Sequence, residues 1–298
     1  MKRPADGRPV LFGEVLFDRF PGGETVLGGA PFNVAWHLQA FGARPLLVSR
    51  IGNDALGRRI RERMQAWGMD LSGLQLDSSH PTGTVDVHIE NDEPRYEIVE
   101  HRAWDYIDAD TLPPAAGAAL LYHGSLAARN PVSRQALLAL RERLGAPAFM
   151  DVNLRPPWWQ ADDVHGWLDV ARWAKLNEDE LDALAPAGGD LAARAGALRE
   201  RHDLDLLITT RGAAGALAHD RDGQVLQVRP PATDNLVDTV GAGDAFAAVT
   251  LLGLLHRWPL QTLLERAQAF ASALVQIRGA TPDQAGFYTA FRRDWNLT

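Results

Sequence analysis

The sequence predicts an α/β fold: a mainly parallel central sheet with helices on both faces, three αβα layers in all, and a small inserted β lid. Three observations predict it. Strand-like and helix-like segments alternate along most of the chain. The 298 residues, 46% of them hydrophobic, suffice for a sizeable core. Two stretches, 17–27 (FDRFPGGETVL) and 82–100 (TGTVDVHIENDEPRYEIVE), leave that rhythm and alternate polar with apolar residues around turn signals.

Taken in order, residues 9–17 (PVLFGEVLF) read as the first strand. Residues 31–41 read as a helix with Pro31 in its first turn and Gly42 at its C-terminal cap. A strand at 45–51 follows, then a helix over 54–67 with Asp54 near its N-cap and Gly68 closing it. Buried strands are expected at 119–123 and 147–152, with a helix over 132–144 between them. A short strand at 172–176 and a clear one at 204–209 come next. Residues 215–219 and 224–229 form a hairpin around the DRDG turn at 220–223. The C-terminal third is helical, at about 241–256 and 260–277. The ribbons at 17–27 and 82–100 are marginal alone, so they are expected to cover a site or to pair with a second subunit.

Net charge is −8, spread along the chain without a basic block, which repels nucleic acid and anionic membrane. Apolar runs are interrupted well before the length of a membrane span. Lys2 and Arg3 have no apolar run behind them, so no signal peptide is expected. Cysteine is absent, which excludes disulfides and thiolate metal sites and suits a cytoplasmic protein. None of the nine histidines falls in a metal-ligand cluster, which argues against zinc chemistry.

Residues 236–248, LVDTVGAGDAFAA, follow an extended stretch and open a helical run. At a helix start the first backbone N–H groups lack internal partners, and the dipole is positive there. The small residues Gly241, Ala242 and Gly243 would let an anion approach those amides, making a cradle for a phosphate or a migrating phosphoryl group. Asp244 in the first turn fits equally well as a helpful cap. An ordinary helix start and an anion site are both open on this stretch alone. A P-loop is excluded because no GxxxxGK[ST] run exists, and a dinucleotide fingerprint fails at its sixth position, where Phe246 stands.

The same stretch resembles the D-T-x-G-A-G-D signature of the ribokinase-like (PfkB) sugar kinases, matched by Asp238, Thr239, Gly241, Ala242, Gly243 and Asp244. Three more stretches resemble that family in the right order: LGGAPFNVA at 27–35, SRIGNDALG at 49–57 and TTRGAAG at 209–215. The resemblance covers nearly the whole chain. It implies a ribokinase-like sandwich, one kinase domain over 1–298 and a lid from the two ribbons. It also implies ATP with Mg2+, K+ as a further candidate ion, a small sugar as acceptor and a homodimer joined through the lid.

Site by site, the resemblance implies that Asp244 is the base on the attacking hydroxyl, with the amides of Ala242, Gly243 and Asp244 stabilising the phosphoryl charge. The sugar would lie between Gly28–Gly29 and the first ribbon. Asn33 would offer both a donor and an acceptor, and Asp18 would grip the distal hydroxyls. A satisfied polar residue at a helix start (Asn33) and a ribbon-turn acid (Asp18) are the plainer alternatives. Residues 151–158, DVNLRPPW, leave a buried strand at its carboxyl end, where α/β proteins bind ligands. They resemble the D-x-N-x-R-x-x-W stretch of the fructokinase and ketodeoxygluconate kinase branches, with Asn153 and Arg155 as contacts, and an Arg fork suits phosphate or carboxylate. Trp158 and Trp159 are expected to dock this loop on the core.

Asn177 and Glu180 resemble the family's N-x-x-E motif and would act on Mg2+ largely through bound waters. Thr210, Arg211 and Gly212 would lie along the nucleotide phosphates, with Arg211 the cation in the absence of a Walker lysine. Asp238 would hold a monovalent cation with carbonyls of Val240 and the 278–280 turn, or serve as a structural acid. Arg102, closing the second ribbon, would reach the site with the lid or stay a solvated loop charge.

Pro31 after Gly-Gly-Ala, the N-L-R-P run with its following Trp, and the F-G-E opening at 12–14 all resemble fructokinases. Fructose is therefore the expected acceptor. Ketodeoxygluconate is the alternative, since Arg102 and Arg155 would both suit a sugar-acid carboxylate. A catalytically silent sugar-binding protein on the same fold is the alternative of a different class; retention of Asp244, the motif glycines, Asn177 and Glu180 argues against it.

Overall fold

The computed structural model describes residues 7–90, 93–114, 117–185, 188–230 and 235–297. Strand β1 (Arg8–Phe12) leads directly into a hairpin, β2 (Leu16–Arg19) and β3 (Thr25–Gly28), and then into helix α1 (Ala30–Ala40). β4 (Leu46–Gly52), α2 (Ala55–Ala66) and β5 (Leu74–Asp77) follow, before a second hairpin of β6 (Gly83–Glu90) and β7 (Glu93–Ile98). The βα alternation resumes with β8 (Ala118–His123), α3 (Pro131–Leu144), β9 (Ala148–Asp151), α4 (Ala161–Leu168), β10 (Trp173–Asn177) and α5 (Glu178–Leu184). After α6 (Leu191–Arg201) come β11 (Leu206–Thr210) and the hairpin β12 (Ala216–Asp220) and β13 (Val225–Val228). Helices α7 (Ala242–His256), α8 (Leu260–Leu274) and α9 (Ala285–Asp294) complete the described chain.

The nine-stranded sheet runs β13-β12-β11-β10-β9-β8-β1-β4-β5 and is parallel except at its β11–β12–β13 end. That bears out the expected sandwich. One core cluster fills the face under α1, α2, α7, α8 and α9, around Phe32, Trp36, Leu251, Phe270 and Tyr288. The other fills the face under α3 to α6, around Phe12, Leu137, Met150 and Leu198. Each large apolar side chain buried there contributes roughly 1.5–3 kcal/mol. Helices α1 and α7 are buried nearly all round, so their positions are fixed by packing on several sides. No helix among the described residues is long and apolar enough to cross a membrane.

Three features differ from the sequence expectation. Residues 9–17 are two strands in different sheets: β1 ends at Phe12, the buried Glu14 occupies the turn, and β2 begins the lid. A continuous apolar run carries no mark of that change of sheet. The two ribbons form the single lid expected, but they join through a parallel pairing of β2 with β6, in the order β3-β2-β6-β7, that no local pattern marks. Strand β5 and helices α4, α6 and α9 were not anticipated, their sequences being short or too broken by small and charged residues to set a period.

Candidate active site

Gly29 makes the head of α1 possible. Its φ is 109°, and a Cβ on it would stand 2.6 Å from the Glu14 carbonyl oxygen, so the chain needs glycine here. Asn33, one turn in and 5% exposed, donates from Nδ2 to Asp244 Oδ2 at 2.8 Å. The residue expected to hold sugar thus also holds the acid. Its Oδ1 is buried without a partner, an acceptor left for a hydroxyl donor. Asp18 on β2 stands beside the same glycines, its Oδ2 3.6 Å from where a Cβ on Gly28 would be.

Gly241, with φ 80°, caps α7, and the amides of Gly243 and Asp244 make no hydrogen bond among the described residues. The Ala242 amide instead closes a turn onto the Thr239 carbonyl at 3.3 Å. Two free donors therefore face the anion cradle, rather than the three expected. Asp238 accepts from the Val240 and Gly279 amides, each at 3.0 Å, and so clamps the turn at 278–280 against the head of α7.

Three carboxyls meet around this cleft, all with raised pKa values. Burial pushes Glu14 up to about 7, with Arg155 opposing and Asp244 adding to the rise. Burial pushes Asp18 up to about 6, with Arg155 opposing. Asp244 rises to about 6 through burial and Asp151, against its hydrogen bond from Asn33 and the charges of Lys175 and Arg155. Arg155 is thus the cation common to all three, although its own side chain is exposed. Its loop departs through Asn153, whose φ is 40° and whose carbonyl accepts from Ser125 Oγ at 3.3 Å. Trp158 stacks under Arg129, 4.4 Å from its guanidinium carbon, which docks the loop as expected.

Glu180 is spent largely on the scaffold. Its Oε1 accepts from the Leu154 amide and its Oε2 from the Asn177 amide, each at 2.8 Å, while Asn177 Oδ1 accepts from the Glu180 amide. One lone pair per carboxylate oxygen is left, which fits contact with the water shell of a cation rather than direct ligation. Arg211 pairs with Glu178 at 3.1 Å, and Thr210 Oγ1 donates to the Leu176 carbonyl at 3.4 Å. Gly212 opens the short turn that follows β11. These residues sit at or just past the carboxyl ends of β10 and β11. Arg102 caps the short turn over Ala103–Tyr106, its Nε buried and without a hydrogen-bond partner among the described residues, while Asp86 is held down chiefly by Arg19 on the same lid face. In register, Arg19 and Asp86 face away from Asp18 and Val85.

Sequence reasoning gave no role to four participants. Tyr96 on β7 shares the lid face of Val87 and Ile98; partial burial, then the charges of Asp18 and Asp238, raise its pKa. The two-residue period of 93–98 was the signal that could have found it. Lys175 and Asp151 form a buried ion pair of 2.7 Å on β10 and β9, and Tyr122 on β8 donates to the same Asp151 at 3.1 Å. A lysine inside the apolar strand WAKLN was the signal there.

Residues 10–285 match the family described as pfkB family carbohydrate kinase. A fructokinase of Salmonella typhimurium is 32% identical over 259 residues, covering 82% of this chain and 83% of that protein. A Vibrio cholerae fructokinase double mutant, solved with fructose, ADP and a potassium ion bound, superposes with a TM-score of 0.81 at 25% identity, covering 96% of this chain and 99% of that one. Aminoimidazole riboside kinase from Salmonella enterica, complexed with its riboside and an ATP analogue, superposes with a TM-score of 0.82 at 25% identity over 98% of this chain and all of that one.

Proposed function

Because the chain belongs to the pfkB family of carbohydrate kinases, we propose that it transfers the γ-phosphate of ATP to fructose, giving fructose 6-phosphate, with residues 1–298 acting as one catalytic unit. The observation that carries the choice of acceptor is the charge of the cleft. Arg155, not Arg102, is the arginine whose charge acts most on Asp18, Glu14 and Asp244, so three carboxyls already face it. A neutral ketose suits such a cleft better than a sugar acid, whose carboxylate would add a further negative charge.

In this reading the acceptor hydroxyl gives its proton to Asp244 as its oxygen bonds to the γ-phosphorus. The bond to the bridging oxygen breaks and ADP departs. Asn33 fixes Asp244 through Oδ2, leaving Oδ1 for the hydroxyl. The free amides of Gly243 and Asp244 take up charge developing on the phosphoryl oxygens. Asp18, Asn33, Asn153, Arg155 and Tyr96 would orient the sugar above Gly28 and Gly29. Thr210, Arg211 and Gly212 would follow the nucleotide phosphates. Mg2+ would neutralise phosphate charge, with Asn177 and Glu180 meeting its water shell. A monovalent ion would share Asp238 and nearby backbone carbonyls, which supports including K+ in the assay.

A coupled ADP-release assay tests the reading over fructose, ribose, tagatose, ketodeoxygluconate and adenosine, with and without K+. Fructose should give the highest kcat/KM, at least about tenfold above ketodeoxygluconate, the scale of one misplaced charge. A lead for the sugar acid would overturn the charge argument, and silence on all five would favour a binding protein.

Two copies are further proposed to meet lid to lid in the cytoplasm, a setting the lack of cysteine supports. The outer lid face carries the Arg19–Asp86 and His88–Glu97 pairs, and β7 leaves an edge that a second chain can cover. Sedimentation equilibrium should give twice 32.6 kDa; a monomer at micromolar concentration rejects the pairing.

A further inference from the structure

Lys175 is 6% exposed and lies on the sheet face that α1, α7 and α8 cover, in register with Asp151 and Ile208. Across β8, β9 and β10 the side chains of Tyr122, Asp151 and Lys175 form a polar ladder in an otherwise apolar layer. The hydrogen bonds of this ladder are unequal. Asp151 accepts from both neighbours, Tyr122 at Oδ2 and Lys175 at Oδ1. The Lys175 ammonium has three donors, yet among the described residues its hydrogen bond to Asp151 is the single one it makes.

A buried ion pair is weak evidence of stability, because an apolar pair of similar volume commonly serves a fold as well or better. Here the pair sits beneath the head of α7. Lys175 Nζ stands 3.9 Å from where a Cβ on Gly243 would be, next to the residue whose amide is free for the phosphoryl group. At such range the ammonium end of the pair, buried together with Asp151, adds its field to the partial positive charges of the two amides.

We propose that Lys175 is a positioning residue for phosphoryl transfer: its ammonium, held by Asp151, supplies the fixed positive charge behind the Gly243–Asp244 cradle and draws the migrating group onto those amides. The inference rests on the sugar-kinase reading above. Arg211, expected from the sequence to be the cation at the phosphates, then serves the nucleotide end, while Lys175 serves the end where the bond changes hands.

The test separates that role from a merely structural pair. In the double variant Lys175→Met/Asp151→Asn both buried charges go together, so no unpaired charge is left behind, and Tyr122 still has an amide oxygen to donate to. The double variant should melt close to the parent and keep the sugar KM within about threefold, yet lose about 10²-fold in kcat, the scale of a removed electrostatic group. The single variants give a second reading: Asp151→Asn should keep at least tenfold more turnover than Lys175→Met. Recovery of kcat to within about threefold in the double variant, or equal losses in the two single variants, overturns the proposal. A parent chain silent on every sugar would instead sink the kinase reading, so the two failures are distinguishable.

Discussion

Asp244→Asn should lower kcat by about 10²–10⁴-fold while leaving the sugar KM within a few-fold. The amide oxygen of the substituted side chain still accepts from Asn33 Nδ2, as Asp244 Oδ2 does at 2.8 Å, so the cleft keeps its shape and loses only its proton acceptor. The pH profile of the parent carries the same prediction with a sign. Burial raises Asp244 to about 6, and the active form is the ionised one. The parent's kcat/KM should therefore be flat above that value and fall about tenfold per unit below it. Steady-state kinetics from pH 5 to 8 reads both effects. A variant retaining near-parental turnover would remove Asp244 from the chemistry.

Gly241→Ala should be nearly as damaging, through the backbone. At φ 80° an added Cβ would stand 2.4 Å from the Ala280 Cβ and 2.8 Å from its Cα. The left-handed conformation alone costs about 1–2 kcal/mol for a residue with a Cβ, and the clash must be relieved by moving either the head of α7 or the 278–280 turn that Asp238 clamps. Either movement misaligns the free amides of Gly243 and Asp244. A loss of about 10²-fold in kcat is expected, with a melting temperature several degrees lower. Gly243→Ala is the control for folding: its Cβ would meet only Lys175 Nζ, at an ordinary 3.9 Å, so its melting temperature should stay near that of the parent. If Gly241→Ala kept both its turnover and its melting temperature, the tight cradle described here would be wrong.

What the sequence disclosed follows the physics of each residue. Alternating strands and helices set the sandwich, and one local cap was plain: Asp54 accepts from the Gly57 amide, as its neighbours promised, whereas the cap that Asn177 gives the Glu180 amide was read only as a motif. Short motifs named Asp18, Gly28, Asn33, Arg155 and Asp244 because backbone approach and hydroxyl chemistry limit which side chains fit. Long-range pairing was hidden. Nothing local shows that Asn33 is spent on Asp244 across 211 positions, or that Glu180 staples the Leu154 amide. Nor does any motif join Tyr122, Asp151 and Lys175, which meet only once three strands lie in order.

The contact between Asn33 and Asp244 has a bearing on synthesis. Lid, glycine pair and Arg155 all lie in the first 155 residues, whereas the proton acceptor and its cradle follow in the last 60. On the proposed reading, a nascent chain paused after β11 would carry the side chains proposed to face the sugar and lack the acid and amides proposed for phosphoryl transfer. Transfer, on that reading, requires α7 to be made and packed against α1.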